Sequence, residues 1–215
     1  MTREEVVRRL CEVGVIPVVR TQSAERLVEV AKALLAGGVP VTEVTMTVPG
    51  AVQAIRRLTR ELGGEVLIGV GSVTEARQAE EAVAAGARFV VSPVTVEEVI
   101  RVAHGHDAAA IPGAFTPTEI FRAHTLGADL VKVFPASVGG PEYFKALLAP
   151  MPFLKLTPTG GVDLKTAGAF IKAGAATLAV GTALVEKKAV EAGDWSRLTD
   201  LAKRFRDEVE KARGG

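Results

Sequence analysis

Short runs rich in Val, Ile and Leu alternate along this chain with longer stretches whose apolar residues recur every three to four positions. The first pattern suits strands buried on both faces, and the second suits amphipathic helices. Strands are expected at 15–20 (VIPVVR), 40–47 (PVTEVTMT), 66–70 (VLIGV), 88–92 (RFVVS), 108–111 (AAAI), 129–134 (DLVKVF), 153–159 (FLKLTPT) and 175–180 (AATLAV). They begin about every 23 residues, the length of one strand–helix unit with short connections. Several helices should close on a glycine turn before the next strand, with Gly37, Gly86, Gly127 and Gly174 in the left-handed closing position. Eight alternating units favour an α/β fold closed into a single (β/α)8 TIM barrel, with a doubly wound open sheet as the alternative. Residues 2–13 and 194–212 predict an extra N-terminal helix and a C-terminal helix, the latter capped by Asp194. No low-complexity linker interrupts the pattern, so residues 1–215 are expected to form one domain.

Composition narrows the function classes. At 215 residues the chain is at the short end for such a barrel. A net charge of +1 offers no general attraction to nucleic acid or to an anionic membrane, so an anionic substrate has to be recognised locally. No apolar run reaches the roughly 18 residues of a membrane span. The single Cys11 cannot form an internal disulfide, and the start MTREEVVRRL lacks the apolar core of a secretory signal, which points to the cytoplasm. Absence of Asn and a count of only three Gln fit either a thermophilic origin or a GC-rich genome.

In a parallel barrel, polar residues late in strands and in the following turns are the candidates for chemistry. Of ten lysines, only Lys132 and Lys155 interrupt apolar strands. A buried charge without a task is costly, so Lys132 within DLVKVF invites a functional reading. Lys155 lies early in its strand, where it can point outward or reach water at the bottom of the barrel. Glu43 lies inside VTEVTMT, and strand alternation puts Val41, Glu43, Thr45 and Thr47 on one face. If that face is the lumen, Glu43 can meet Lys132 across the barrel, either as chemistry or as a structural ion pair. Arg20 ends the first strand, as a pocket cation or a surface residue. TPTGGV (157–162) and VGTAL (180–184) put Gly160, Gly161, Gly181 and Thr182 in the turns after the last two strands, where backbone N–H groups can cradle a phosphate. His104, His106 and His124 fall at helix ends and Cys11 stands alone, a poor basis for a metal site. No G-x-G-x-x-G follows the first strand, and no cofactor is expected.

The segments TEVTMTVP (42–49), GVGSVT (69–74), SP (92–93), IPGAFTPTE (111–119), VKVFPAS (131–137) and PTGGV (158–162) resemble the 2-keto-3-deoxy-6-phosphogluconate (KDPG) and 4-hydroxy-2-oxoglutarate (KHG) aldolase family, from about residue 5 to residue 205. That resemblance implies a homotrimer of barrels and a Schiff-base mechanism yielding pyruvate and glyceraldehyde 3-phosphate. It puts the family's imine-forming lysine on Lys132 and its catalytic carboxylate on Glu43. Phosphate binding falls on Gly160, Gly161, Gly181 and Thr182, and Ser72 and Thr159 match polar positions lining the pocket; Arg20, Thr47, Pro93 and Phe134 complete the expected substrate-binding set. Many members carry Arg where this chain has Thr47 and Glu where it has Ser137; the first departure makes Arg20 the candidate for the pyruvate carboxylate. A related barrel isomerase or synthase, or a catalytically silent sugar-phosphate-binding trimer, is the competing expectation.

Overall fold

The computed structural model describes residues 1–21 and 23–214. Helix α1 (Arg3–Val13) leads into β1 (Val15–Val19), followed by α2 (Ala24–Ala36), β2 (Val41–Thr45), α3 (Ala51–Leu62), β3 (Leu67–Gly71), α4 (Ala76–Ala84), β4 (Phe89–Val91), α5 (Glu97–Gly105) and β5 (Ala109–Ile111). After the two-residue β6 (Gly113–Ala114) come α6 (Pro117–Thr125), β7 (Val131–Val133), α7 (Ala136–Leu148), β8 (Leu156–Pro158), α8 (Ala167–Lys172), β9 (Leu178–Val180), α9 (Lys187–Ala192) and α10 (Trp195–Arg213). All pairings of these strands are parallel, in one sheet ordered β5-β4-β3-β2-β1-β9 and a second ordered β6-β7-β8. The fold is therefore α/β, with parallel strands joined by helices.

Register decides which side chains share a face. Val18, Glu43, Gly69, Phe89 and Ala109 lie side by side across β1 to β5. Gly113, Lys132 and Thr157 do the same across β6 to β8. Thr159, just past β8, bridges to Ala179 in β9.

Several strands are shorter than their apolar runs suggested. Pro112 supplies no N–H, and it separates β5 from β6 while its carbonyl accepts from the Lys132 N–H at 2.9 Å. Residues 153–155 stay outside β8; the Phe153 ring lies 5.0 Å from the His124 ring. Met46 and Thr47 form a turn beyond β2. The left-handed closing position after α2 belongs to Gly38 (φ 80°) and not to Gly37 (φ −83°). Gly37 has another reason to be glycine, because a Cβ there would overlap Ala202 and the Thr199 carbonyl on α10. Gly86, Gly127 and Gly174 take positive φ as expected.

The terminal helices cover the sheets. Helix α1 starts with Thr2 and Glu5 capping each other's backbone N–H, and it packs on both β1 and β5. Helix α10, capped by Asp194, packs on α2 and α8 and buries Leu198, Leu201, Phe205 and Val209. Phe205 alone, fully buried, contributes about 1.5–3 kcal/mol of apolar burial. Among the described residues, no helix is long and apolar enough to cross a membrane.

Candidate active site

Lys132 sits at the centre of β7 with only 8% of its surface exposed, and Glu43 at the centre of β2 with 1%. Burial penalises the charged form of each, so the Lys132 amine is held below its usual pKa and the Glu43 carboxyl above its own. Their mutual attraction works against both shifts without reversing either, and the Arg20 cation lowers both. Burial thus drives the pair toward a neutral amine and a neutral acid. The Lys132 Nζ lies 5.3 Å from the centre of the Phe134 ring, and Glu43 Oε2 is buried without a hydrogen-bond partner among the described residues.

A cavity of about 330 Å³ opens at the carboxyl ends of β1, β8 and β9. It brings together seven of the residues singled out in the sequence: Arg20, Phe134, Thr159, Gly160, Gly161, Gly181 and Thr182. Gly160 and Gly161 have φ of 86° and 77°, a conformation that L side chains rarely adopt. Among the described residues, no backbone hydrogen bond uses the N–H of Gly160, Gly161, Gly181 or Thr182. Four donors and a guanidinium around one small cavity make a site suited to a dianion.

Thr47, Ser72 and Pro93 lie beyond the ends of β2, β3 and β4 and do not line that cavity. The Thr47 hydroxyl is hydrogen-bonded to that of Thr45 at 2.8 Å. Ser72 is a non-glycine residue at φ 60°, a conformation costing about 1–2 kcal/mol. The Pro93 carbonyl is packed against Gly113, the neighbour of Lys132 in the sheet. Lys155 is exposed and belongs to a separate groove of about 600 Å³, lined by Val7, Arg8, Cys11 and Glu12 of α1 with Asp129 and Arg213. That larger opening gathers none of the other candidates.

The family model for KDPG and KHG aldolases matches residues 6–201. The chain belongs to the KDPG and KHG aldolase family. It is 37% identical over 198 residues to a 2-dehydro-3-deoxy-phosphogluconate aldolase of Treponema pallidum, covering 92% of this chain and 94% of that one. It is 36% identical over 200 residues to a KHG/KDPG aldolase of Escherichia coli, covering 93% and 92%. Among solved structures, a KDPG aldolase of Legionella pneumophila, with pyruvate captured at low pH as a covalent carbinolamine, superposes with a TM-score of 0.87 at 32% identity, over 93% of this chain and 97% of that one.

Not every family-like segment faces the cavity. In the stretch TPTE, Thr116 and Glu119 cap each other's backbone N–H and Pro117 occupies the first helical turn, so those residues start α6. Sequence reasoning passed over Val18, Val162, Asp163, Ala179 and Ala183, which complete the cavity wall. Ala179 and Val18 were foreseeable from strand alternation with Arg20 and Gly181, whereas Asp163 needed the path of the 160–163 turn.

Proposed function

We propose that this member of the family is a class I aldolase that cleaves KDPG to pyruvate and glyceraldehyde 3-phosphate, with KHG as a second substrate. The observation that carries the proposal is a buried lysine whose amine pKa is lowered by burial, coupled electrostatically to a buried carboxyl group and set against Phe134, a residue lining the glycine-rich cavity. A protonated lysine has no lone pair, so a depressed pKa is what turns Lys132 into a nucleophile.

Lys132 Nζ attacks the C2 carbonyl to give a carbinolamine. Protonated Glu43 delivers its proton to the departing hydroxyl, water leaves, and a cationic imine remains. That new positive charge lowers the Glu43 pKa and stabilises the carboxylate it has become. The carboxylate then removes the C4 hydroxyl proton; C4–O becomes the aldehyde carbonyl as the C3–C4 electrons flow to the imine nitrogen. Glu43 returns the proton to C3 of the enamine, and hydrolysis frees pyruvate and Lys132. The imine nitrogen is the electron sink, so the cycle calls for no cofactor.

We assign the phosphate to Gly160, Gly161, Gly181 and Thr182, and place Arg20 at the same end rather than on the pyruvate carboxylate expected from the sequence, since its guanidinium lies beside the Gly181 turn. Ser72, Thr47, Pro93, Phe134 and Thr159 are assigned to the rest of the substrate. We further propose that the strands form a (β/α)8 barrel, closed across the β8–β9 bridge and the Pro112 break, within a single domain. Val94, Phe121 and Phe153 are 53%, 48% and 52% exposed, and we assign them to the contacts of a homotrimer. A phosphorylated sugar acid as substrate is consistent with a cytoplasmic enzyme.

Borohydride reduction in the presence of pyruvate tests the reading. A stable three-carbon adduct on Lys132 is expected. Absence of the adduct would favour a barrel isomerase or a silent binding protein.

A further inference from the structure

Strand β3 presents Gly69, paired with Glu43, and Gly71 to one face of its sheet. Neighbouring side chains occupy the space above both glycines. A Cβ at Gly69 would overlap the Phe89 ring from β4, and a Cβ at Gly71 would overlap the Glu43 carboxyl group from β2. The Glu43 side chain therefore leans across the floor of β3 and rests its Oε1 side against the Gly71 backbone. That backbone is fixed: Gly71 is paired with Thr45, and its carbonyl accepts from the Met46 N–H at 2.8 Å. Gly71 does not take positive φ, so conformational freedom does not explain the glycine. Room for a carboxyl group does.

We infer that Gly71 is a positioning residue, whose missing side chain forms the slot that orients the Glu43 carboxyl for proton transfer at substrate C3 and C4. The inference rests on the proposed role of Glu43 in the aldolase cycle. A methyl group in the slot meets the far end of a flexible side chain, which can rotate away, so the fold survives and the carboxyl group is what moves. Gly69 is the contrasting case, because a methyl there meets a rigid, fully buried ring. Glu43 speeds the loss of water that forms the imine but does not set how much imine stands at equilibrium, which depends on pyruvate and on the Lys132 amine on the other sheet. Proton exchange at pyruvate C3 depends on where the carboxyl group points.

The test compares two readouts in the same preparations: borohydride trapping of pyruvate on Lys132, and deuterium uptake from solvent into the pyruvate methyl group. In Gly71→Ala, the extent of trapping after equilibration with pyruvate is expected to stay within about threefold of the unsubstituted protein and exchange to fall at least about a hundredfold. Glu43→Gln should lose exchange as well, and the Gly71→Ala/Glu43→Gln double variant should be no slower than Glu43→Gln alone. Shortening the acid in Gly71→Ala/Glu43→Asp relieves the overlap, so exchange should rise above that of Gly71→Ala. This double variant also decides the matter if Gly71→Ala alone does not fold, since recovery of folding on shortening Glu43 traces the defect to the same overlap. Exchange preserved in Gly71→Ala but lost in Glu43→Gln overturns the inference. So does loss of trapping and exchange in equal measure, or a failure of Glu43→Asp to relieve the defect. Exchange preserved in Glu43→Gln would instead overturn the proposed role of Glu43.

Discussion

Lys132 and Lys155 both interrupt apolar strands, and the early position of Lys155 in its run marked it as the one able to reach water. Burial separates them: Lys132 is 8% exposed at mid-strand, whereas Lys155 is exposed ahead of β8. Lys132→Met should therefore eliminate the borohydride adduct and reduce cleavage at least about a thousandfold, while Lys155→Met should stay within about twofold of the parent. Equal losses would reverse the assignment. The pH dependence follows from the same burial. Attack needs neutral Lys132, so kcat/KM falls as pH drops through its depressed pKa; dehydration needs protonated Glu43, so it falls again as pH rises through the raised carboxyl pKa. Arg20 lowers both values. In Arg20→Ala both limbs should move to higher pH, and limbs that stay put would detach Arg20 from the pair.

The glycine turns following β8 and β9 are the elements the sequence announced most openly, because the Gly160-Gly161 pair is followed one strand–helix unit later by Gly181-Thr182. They are not equivalent as places to test phosphate binding. Gly161 holds φ 77°, and a Cβ there would come 2.6 Å from the Ser137 Cβ, so its substitution disturbs the backbone as well as any ligand. Gly181 does not take positive φ, and its Cβ would meet nothing nearer than the Arg20 guanidinium at 4.0 Å. Gly181→Val should raise KM for the phosphorylated sugar acid at least about tenfold, about 1.4 kcal/mol, and leave KHG cleavage within about twofold. Equal effects on both substrates would place the defect at the lysine. Other elements were less legible. Periodicity located every strand except the two-residue β6 beyond Pro112, but not the ends of the others, because apolar residues such as Phe153 continue past the last ladder bond. Gly37 does cap α2, but in a conformation open to any residue; what requires glycine there is the contact with α10, far along the chain. Gly71 gave no local sign of its slot, because the group occupying it comes from a different strand.

For the whole molecule, the same burial that makes Lys132 reactive weakens the fold. The unfolded chain carries a lysine titrating near 10.5 and a carboxyl near 4.5; in the folded protein the first is lowered and the second raised. As pH falls from 10.5, the unfolded chain binds a proton at Lys132 before the folded one does, and stability declines until the folded pKa is passed. As pH rises from 4.5, the unfolded chain releases the Glu43 proton first, and stability declines in the opposite direction. Near neutral pH both losses act together. Met fills a similar volume without an ionisable group, so Lys132→Met should stabilise the inactive protein by about 1 kcal/mol at pH 7, raising Tm by about 2–4 °C. The gain should shrink as pH approaches 10.5, where the unfolded lysine also becomes neutral. Thermal unfolding of both proteins between pH 7 and pH 10 checks this. A lower Tm for Lys132→Met at pH 7 would mean that the folded pair is charged and that removing the cation strands a buried Glu43 carboxylate, which costs about 3–5 kcal/mol for a pair broken on one side. In that case activation of the amine would have to come from substrate binding, since the resting fold would be holding it protonated.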